Sequence, residues 1–350
     1  MIKMQTSFVI LILTVVRFWS SSSLIVSAGI SEKMSIEPIV LVHGGAGDIP
    51  DSRDRGKLIG CKLATKLGYE KLQSGGSVLE AVEQAVQSME LDEYFNAGYG
   101  SVLTFDGTVE MEASIMDGRN LNAGICTLVE DIYHPITLAK TVMLKTNHTF
   151  LGGPSVMKFA RENNFEILPS GSLVTEYAKE ALEEFKEHHR AGLDTRNAPT
   201  EIGRRDEGGT VGAVAIDKDG NLAAATSTGG ITGKLPGRIG DTPILGAGNY
   251  ADNLMGTISC TGHGETIMRY NVAQRILQRM SLLREEPQAA TKYVLDEMTK
   301  RLTYSAGAIT LSPSGETGIY FTSPKMAWAY RKGNKMHSGI RHGDDFIEDV

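Results

Sequence analysis

Residues 208–230 read GGTVGAVAIDKDGNLAAATSTGG, and this stretch decides the architecture. Its centre, Asp219-Gly220, supplies the φ > 0 positions that a tight turn needs. The run before the turn is small and apolar on both faces, with Thr210, Gly212, Val214 and Ile216 alternating with Val211, Ala213 and Ala215. A hairpin that is apolar on both sides is covered on both sides, which predicts a sheet held between layers. Pairing about Asp219 joins residues whose numbers sum to 438, so Thr210 falls opposite Thr228. Cross-strand partners have Cβ atoms roughly 5 Å apart. Two hydroxyls are therefore expected to meet at one end of a buried sheet.

What precedes the hairpin gives that meeting a chemical sense. Residues 186–209, KEHHRAGLDTRNAPTEIGRRDEGG, carry almost no apolar side chains and cannot offset the entropy of ordering. An exposed tether is expected there, and its His188-His189 pair has no partners at metal-ligand spacing. A tether that ends in Gly209-Thr210 at a strand start suits a chain that cuts itself. A threonine hydroxyl is a poor nucleophile until a base takes its proton. If the bond before Thr210 broke, the freed α-amine, with a pKa of about 8, would stand beside its own hydroxyl and could be that base. Thr228 would then orient the nucleophile and help to stabilise charge.

The chain has 350 residues, 41% hydrophobic and 22% charged, enough for one large domain or two small ones. A net charge of −7 argues against a general nucleic-acid surface. The three cysteines, Cys61, Cys126 and Cys260, show neither CxxC nor metal-ligand spacing and read as small buried hydrophobes. A short basic start, an apolar run and a small-residue site after Ala28 predict a signal peptide over residues 1–28, hence a secreted or lumenal protein. Met34 is an alternative start that would leave a cytoplasmic chain. The apolar run is too short to span a membrane. Asn147-His148-Thr149 is a glycosylation sequon that matters only on the secretory route.

Elsewhere the pattern alternates less regularly. Residues 38–45 read as a buried strand running into a glycine loop, and 56–73 and 77–89 as helices, the second opened by a Ser77/Glu80 capping box. Asp106-Gly107 marks a further hairpin, 122–132 a strand, and 135–145, 173–189 and 265–281 helices. SAGAITLSP, GIYFTS and MAWAYRKG form a closing strand set. Strands with helices before and after, without regular β-α alternation, indicate α+β layers.

Two downstream loops add chemistry. Gly237-Arg238-Ile239-Gly240-Asp241 sets a cation and an anion three residues apart. Arg binds a carboxylate through two parallel hydrogen bonds and Asp accepts from an ammonium, so the pair matches the two charged groups of an amino acid; an ordinary surface ion pair is the plainer reading. Cys260-Thr261-Gly262-His263-Gly264-Glu265 lies at a strand-to-helix junction, where backbone N–H groups and a hydroxyl can form an oxyanion hole. A phosphate site competes for such a loop, but the chain has neither GxxxxGK[ST] nor GxGxxG.

HGGAG (43–47), FNAGYGSVL (95–103), EMEASIMDG (110–118), the hairpin, GKLPGRIGDTPILGAGNYADN and CTGHGE together resemble the plant-type L-asparaginase/isoaspartyl peptidase family of N-terminal-nucleophile hydrolases. The resemblance runs from about residue 38 to the C-terminus. It implies a four-layer αββα sandwich and autocleavage between Gly209 and Thr210, giving an α chain over 29–209 and a β chain over 210–350, with Thr210 as nucleophile and Thr228 supporting it. It further implies substrate binding by Arg238, Ile239, Gly240, Asp241, Thr261, Gly262, His263 and Gly264. In that set Arg238 takes the α-carboxylate, Asp241 the α-amine, and Thr261 with Gly262 the oxyanion. His43, Gly44, Gly45 and Asn96 are similar to family elements that support processing and the site. The loop around Met89, Glu90, Asp92, Phe95, Ala97 and Tyr99 resembles one whose backbone carbonyls hold a structural sodium ion; no other cofactor is expected. The mature unit of the family is a dimer of cleaved αβ pairs. The implied activity is hydrolysis of L-asparagine and of β-aspartyl dipeptides. A glycosylasparaginase-like amidase is the alternative, although that pattern has Asn where this chain has Gly229. A silent scaffold that binds aspartate-like ligands is a third.

Overall fold

The computed structural model describes residues 36–188 and 209–350. The expected leader (1–28), the alternative start Met34, the side chains of His188 and His189, and positions 189–208 of the expected tether lie outside the described residues. The run after Pro38 forms β1 (Ile39–Gly47). Helices α1 (Asp51–Gln73) and α2 (Val78–Glu90) follow. The Ser77 hydroxyl accepts from the Glu80 N–H, and the Glu80 carboxylate accepts from the Ser77 N–H. The capping box is thus complete and satisfies two donors that a helix start leaves open. Next come β2 (Met111–Asp117), β3 (Ala123–Val129), α3 (Pro135–Lys145), β4 (Phe150–Gly152), α4 (Pro154–Glu162) and α5 (Glu176–His188).

From residue 209 the order is β5 (Val211–Ile216), β6 (Leu222–Thr228), β7 (Asn249–Asp252), β8 (Gly256–Gly262), α6 (Gly264–Tyr270), α7 (Val272–Leu282) and α8 (Pro287–Leu302). The chain closes with β9 (Ala306–Leu311), β10 (Thr317–Phe321), β11 (Lys325–Lys332), β12 (Lys335–Arg341) and β13 (Phe346–Asp349). One sheet has the order β13-β12-β11-β1-β5-β6-β2-β3-β4 and the other β10-β9-β8-β7. The β5–β6 register, Val211↔Ser227 through Ile216↔Leu222, keeps the sum read from the sequence.

Alternate residues of β5 divide between two cores. Val211, Ala213 and Ala215 face the helical side with Val40, Val82, Val86 and Met89. Val214 and Ile216 lie between the sheets with Leu41, Ile309 and Leu311. Burying each such large aliphatic side chain is worth roughly 1.5–3 kcal/mol. Beyond the second sheet, Ile258 and Cys260 pack on Ile267, Ile276 and Leu295 of α6–α8. Helices, sheet, sheet, helices: the fold is the four-layer αββα sandwich.

Several boundaries differ from the sequence reading. α1 starts at Asp51, where Pro50 precedes a first turn carrying Asp51 and Asp54, both favoured at the positive end of a helix dipole. The expected 265–281 helix is two helices, because Asn271 sits in the left-handed region (φ 56°) between α6 and α7. Asp106-Gly107 makes a turn, with the Gly107 N–H donating to Thr104 O at 3.0 Å, but no hairpin ladder flanks it. Thr104 bridges Lys234 instead, a long-range partner that local patterning cannot show. Residues 186–188 belong to α5, so the helix takes the start of the expected tether. The β12–β13 hairpin was not anticipated, since every residue of β13 is exposed and no apolar period marks it.

All three cysteines are buried and unpaired. Among the described residues no helix is long and apolar enough to cross a membrane, and no cluster of His, Cys, Asp and Glu could hold a metal. Asn147 of the sequon is exposed.

Candidate active site

The β5–β6 register brings Thr210 and Thr228 together at the end of the hairpin. Both are buried, and the Thr210 hydroxyl donates to the Thr228 hydroxyl at 3.1 Å. Thr228 Oγ1 also accepts from the Gly230 N–H at 3.0 Å, so it is held from the next turn. That turn is clamped by Asn96: its Nδ2 donates to Gly230 O at 2.8 Å and its backbone O accepts from Gly229 N. A Cβ on Gly229 would lie 2.6 Å from both Asn96 Oδ1 and Ser101 Cβ. Only glycine fits between them.

His43 closes the inner wall. It is fully buried, and its Nε2 lies 2.8 Å from Ser259 Oγ, which in turn lies 2.7 Å from Thr226 Oγ1. Burial pulls the His43 pKa down to about 3. The Thr210 backbone pulls weakly the other way, but Nδ1 closes no hydrogen bond among the described residues, so burial prevails and the ring is neutral at pH 7. Gly212 leaves room for this row: a Cβ there would sit 2.0 Å from Ser259 Oγ and 2.4 Å from His43 Nε2. The HGG loop reaches the expected cleavage point, since a Cβ on Gly45 would stand 2.2 Å from the Cα of Gly209.

Beyond Gly230 lies the charged pocket. Arg238 Nη1 is 3.1 Å from where a Gly230 Cβ would be. Arg238 Nε and Nη2 donate to the two carboxylate oxygens of Glu265, each at 2.9 Å. Burial raises the Glu265 carboxyl, but the Arg238 hydrogen bonds override it and hold the pKa below its ordinary value. The two-fold carboxylate recognition expected of Arg238 is thus present, with a side chain of the same protein as partner. Asp241 is buried, its Oδ2 has no hydrogen-bond partner among the described residues, and burial raises its pKa to about 7. Gly264 lets the two meet: a Cβ there would be 2.8 Å from both Arg238 Nη2 and Asp241 Oδ1. Ile239 is half-buried, and the Gly240 N–H donates to both oxygens of Glu112 at 2.9 and 3.0 Å. Across the sheets, Thr261 Oγ1 accepts from Ala46 N at 3.1 Å, and Gly262 takes a φ of 126° against Ala306. His263 stacks on Tyr304 with ring centroids 3.9 Å apart.

A protein-family model described as asparaginase matches residues 36–340. The chain belongs to the asparaginase family. It is 52% identical over 311 residues to a Drosophila pseudoobscura protein named probable isoaspartyl peptidase/L-asparaginase, covering 87% of this chain and 96% of that one. It is 44% identical over 317 residues to the human isoaspartyl peptidase/L-asparaginase, covering 90% and 100%. The Danio rerio protein of that name is 43% identical over 313 residues, with 89% and 98% covered.

Four residues of this candidate site carry no assignment in the sequence reading. Glu112 is wholly buried opposite Thr228, with its pKa raised by burial. The signal for it was an acid inside the apolar strand MEASIMD. Lys234 is buried and donates to Glu110 O at 2.6 Å, and burial lowers its pKa to about 8. Ser259 and Thr226 share the two-residue period of Thr261 and Thr228, and that period could have marked them.

Proposed function

We propose that this protein is an autoprocessing threonine amidohydrolase that converts L-asparagine to L-aspartate and ammonia and cleaves β-aspartyl dipeptides. The reading rests on the Thr210–Thr228 hydroxyl pair with Gly45 seated against Gly209, and on Gly230, which donates to Thr228 and borders Arg238 of the charged pocket. In the first stage Thr210 Oγ1 attacks the Gly209 carbonyl carbon, and the acyl group passes from nitrogen to oxygen. That shift breaks the Gly209–Thr210 C–N bond and leaves the Thr210 α-amine free, and water then hydrolyses the ester to give the Gly209 carboxylate and restore the Thr210 hydroxyl. In the second stage that amine takes the hydroxyl proton as Oγ1 attacks the side-chain carbonyl of the substrate. The oxyanion is held by the Thr261 hydroxyl and the Gly262 N–H, a type of contact worth about 3–4 kcal/mol in the transition state. Ammonia or an amino acid leaves, and water resolves the β-aspartyl ester.

Substrate orientation falls to Arg238 for the α-carboxylate and Asp241 for the α-ammonium, with Gly264 making room. An unpartnered carboxylate oxygen in a buried pocket supports the second assignment, because an incoming ammonium supplies the bond it lacks. The space around Gly229 favours this reading over the glycosylasparaginase alternative, since an asparagine Cβ would strike Asn96 and Ser101. The 89–99 loop brings backbone carbonyls close together, as the expected sodium ion requires: a Cβ on Gly98 or Gly100 would lie 2.1 Å from the carbonyl oxygens of Glu90 or Phe95, and Glu90 O also accepts from Tyr99 N–H at 2.8 Å. Such an ion would brace the loop that carries Asn96 and would take no part in bond making.

The decisive variant is Thr210→Ala. It is expected to give one intact band on a denaturing gel and no ammonia from asparagine, whereas the unmutated protein gives two bands and turnover. Splitting of the variant, or full turnover by uncut wild-type protein, overturns the assignment. N-terminal sequencing of native protein reads Thr210 exposure and removal of the 1–28 leader together, so the same run tests the secreted location. Light scattering of cleaved protein tests the expected dimer of αβ pairs.

A further inference from the structure

Lys57 lies on α1, is only 1% exposed, and donates its Nζ to the Gly44 carbonyl at 3.0 Å. A lysine amine is costly to take out of water, and an aliphatic side chain would fill the same space without that cost. The position of its acceptor gives the burial a purpose. Strand pairing from β1 to β11 is interrupted between His43 and Ala46, and the pairing to β5 ends at His43. Gly44 and Gly45 therefore lie outside the regular registers on both sides, and as glycines they have the loosest backbone in the chain. Gly45, at φ 104°, is the residue that abuts Gly209.

We propose that Lys57 is a positioning residue for self-cleavage at Gly209–Thr210. Because a peptide unit is planar, fixing the Gly44 oxygen fixes the whole 44–45 unit. Lys57 thereby sets the surface on which the Gly209 carbonyl rests while Thr210 attacks it. The Lys57 amine also lies 5.2 Å from the centroid of the Phe95 ring, next to the Asn96 that clamps Gly229 and Gly230. Once the bond is cut, the surface behind Gly209 has done its task, so turnover does not depend on Lys57.

This inference rests on the autoprocessing reading, and the experiment separates the two. Full-length wild type, Lys57→Met and Lys57→Gln are purified uncut or pulse-labelled, and cleavage is followed on denaturing gels. Ammonia release is measured per cleaved chain. Wild type that never cuts removes the reading itself. If wild type cuts, Lys57→Met, which fills the space without a donor, is expected to cut at least about tenfold more slowly. Lys57→Gln, which keeps a donor, should stay within about threefold of wild type, and turnover per cleaved chain should stay within about twofold for both. Wild-type cleavage by Lys57→Met overturns the proposal. So does a parallel fall of cleavage, turnover and melting temperature in both variants, which a merely structural role would give. Should Lys57→Met be insoluble, Lys57→Ala is assayed with and without propylamine: amine-dependent cleavage supports the role, and indifference to amine overturns it.

Discussion

Asp241 carries a cost that its substrate would remove. Its pKa near 7 means that, between the ordinary carboxyl range and about 7, the folded chain keeps a proton that the unfolded chain has lost. Stability attributable to this group therefore falls as pH rises through that window. Asp241→Asn is expected to melt higher than wild type by a margin that widens from about pH 5 to about pH 8, read by calorimetry. The same variant should lose about 10- to 100-fold in kcat/KM, the worth of one charged hydrogen bond. For wild type, KM for asparagine should rise as pH drops below about 7, because the protonated carboxyl no longer attracts an ammonium. Gly229→Asn is expected to leave the chain uncut and to lower its stability by about 1–3 kcal/mol through overpacking against Asn96. At this scale the sequence disclosed the threonine pair, since turn chemistry and a two-residue period are local. It did not disclose that Glu265 occupies the Arg238 fork, or that Gly264 admits both Arg238 and Asp241. Those depend on where α6 begins relative to a loop some twenty-five residues earlier.

Among the elements, those with strong local signals were legible. The Ser77/Glu80 box marked the start of α2 to the residue, and removing it with Ser77→Ala is expected to cost about 1 kcal/mol in urea unfolding. The break between α6 and α7 was not legible, because an apolar stripe of helical period runs through Asn271 uninterrupted. What stops the helix is a backbone angle that asparagine and glycine tolerate. Asn271→Ala should thus be destabilising by about 1 kcal/mol and Asn271→Gly nearly neutral, a contrast that melting curves can read. The β12–β13 pairing went unseen for a related reason: β13 is exposed along its whole length, and a strand with no buried face leaves no period in the sequence.

Across the whole molecule, the hairpin apolar on both faces foretold a sheet covered on both sides and the family resemblance implied four layers, but neither gave the strand order. β1 lies between β5 and β11, and β6 pairs with β2, so the stretches before and after Gly209 alternate within one sheet. No local signal encodes such pairing, which is set by contacts between residues far apart in sequence. It follows that a cut at residue 209 would not release either piece, and that the cut can be made only after both have already folded around one another. The hydrolysis would then work as a ratchet. Before it, recovery from urea is a unimolecular event, as it should remain for Thr210→Ala at any dilution. After it, recovery requires two strangers to find each other, and its yield should decline as the protein is diluted.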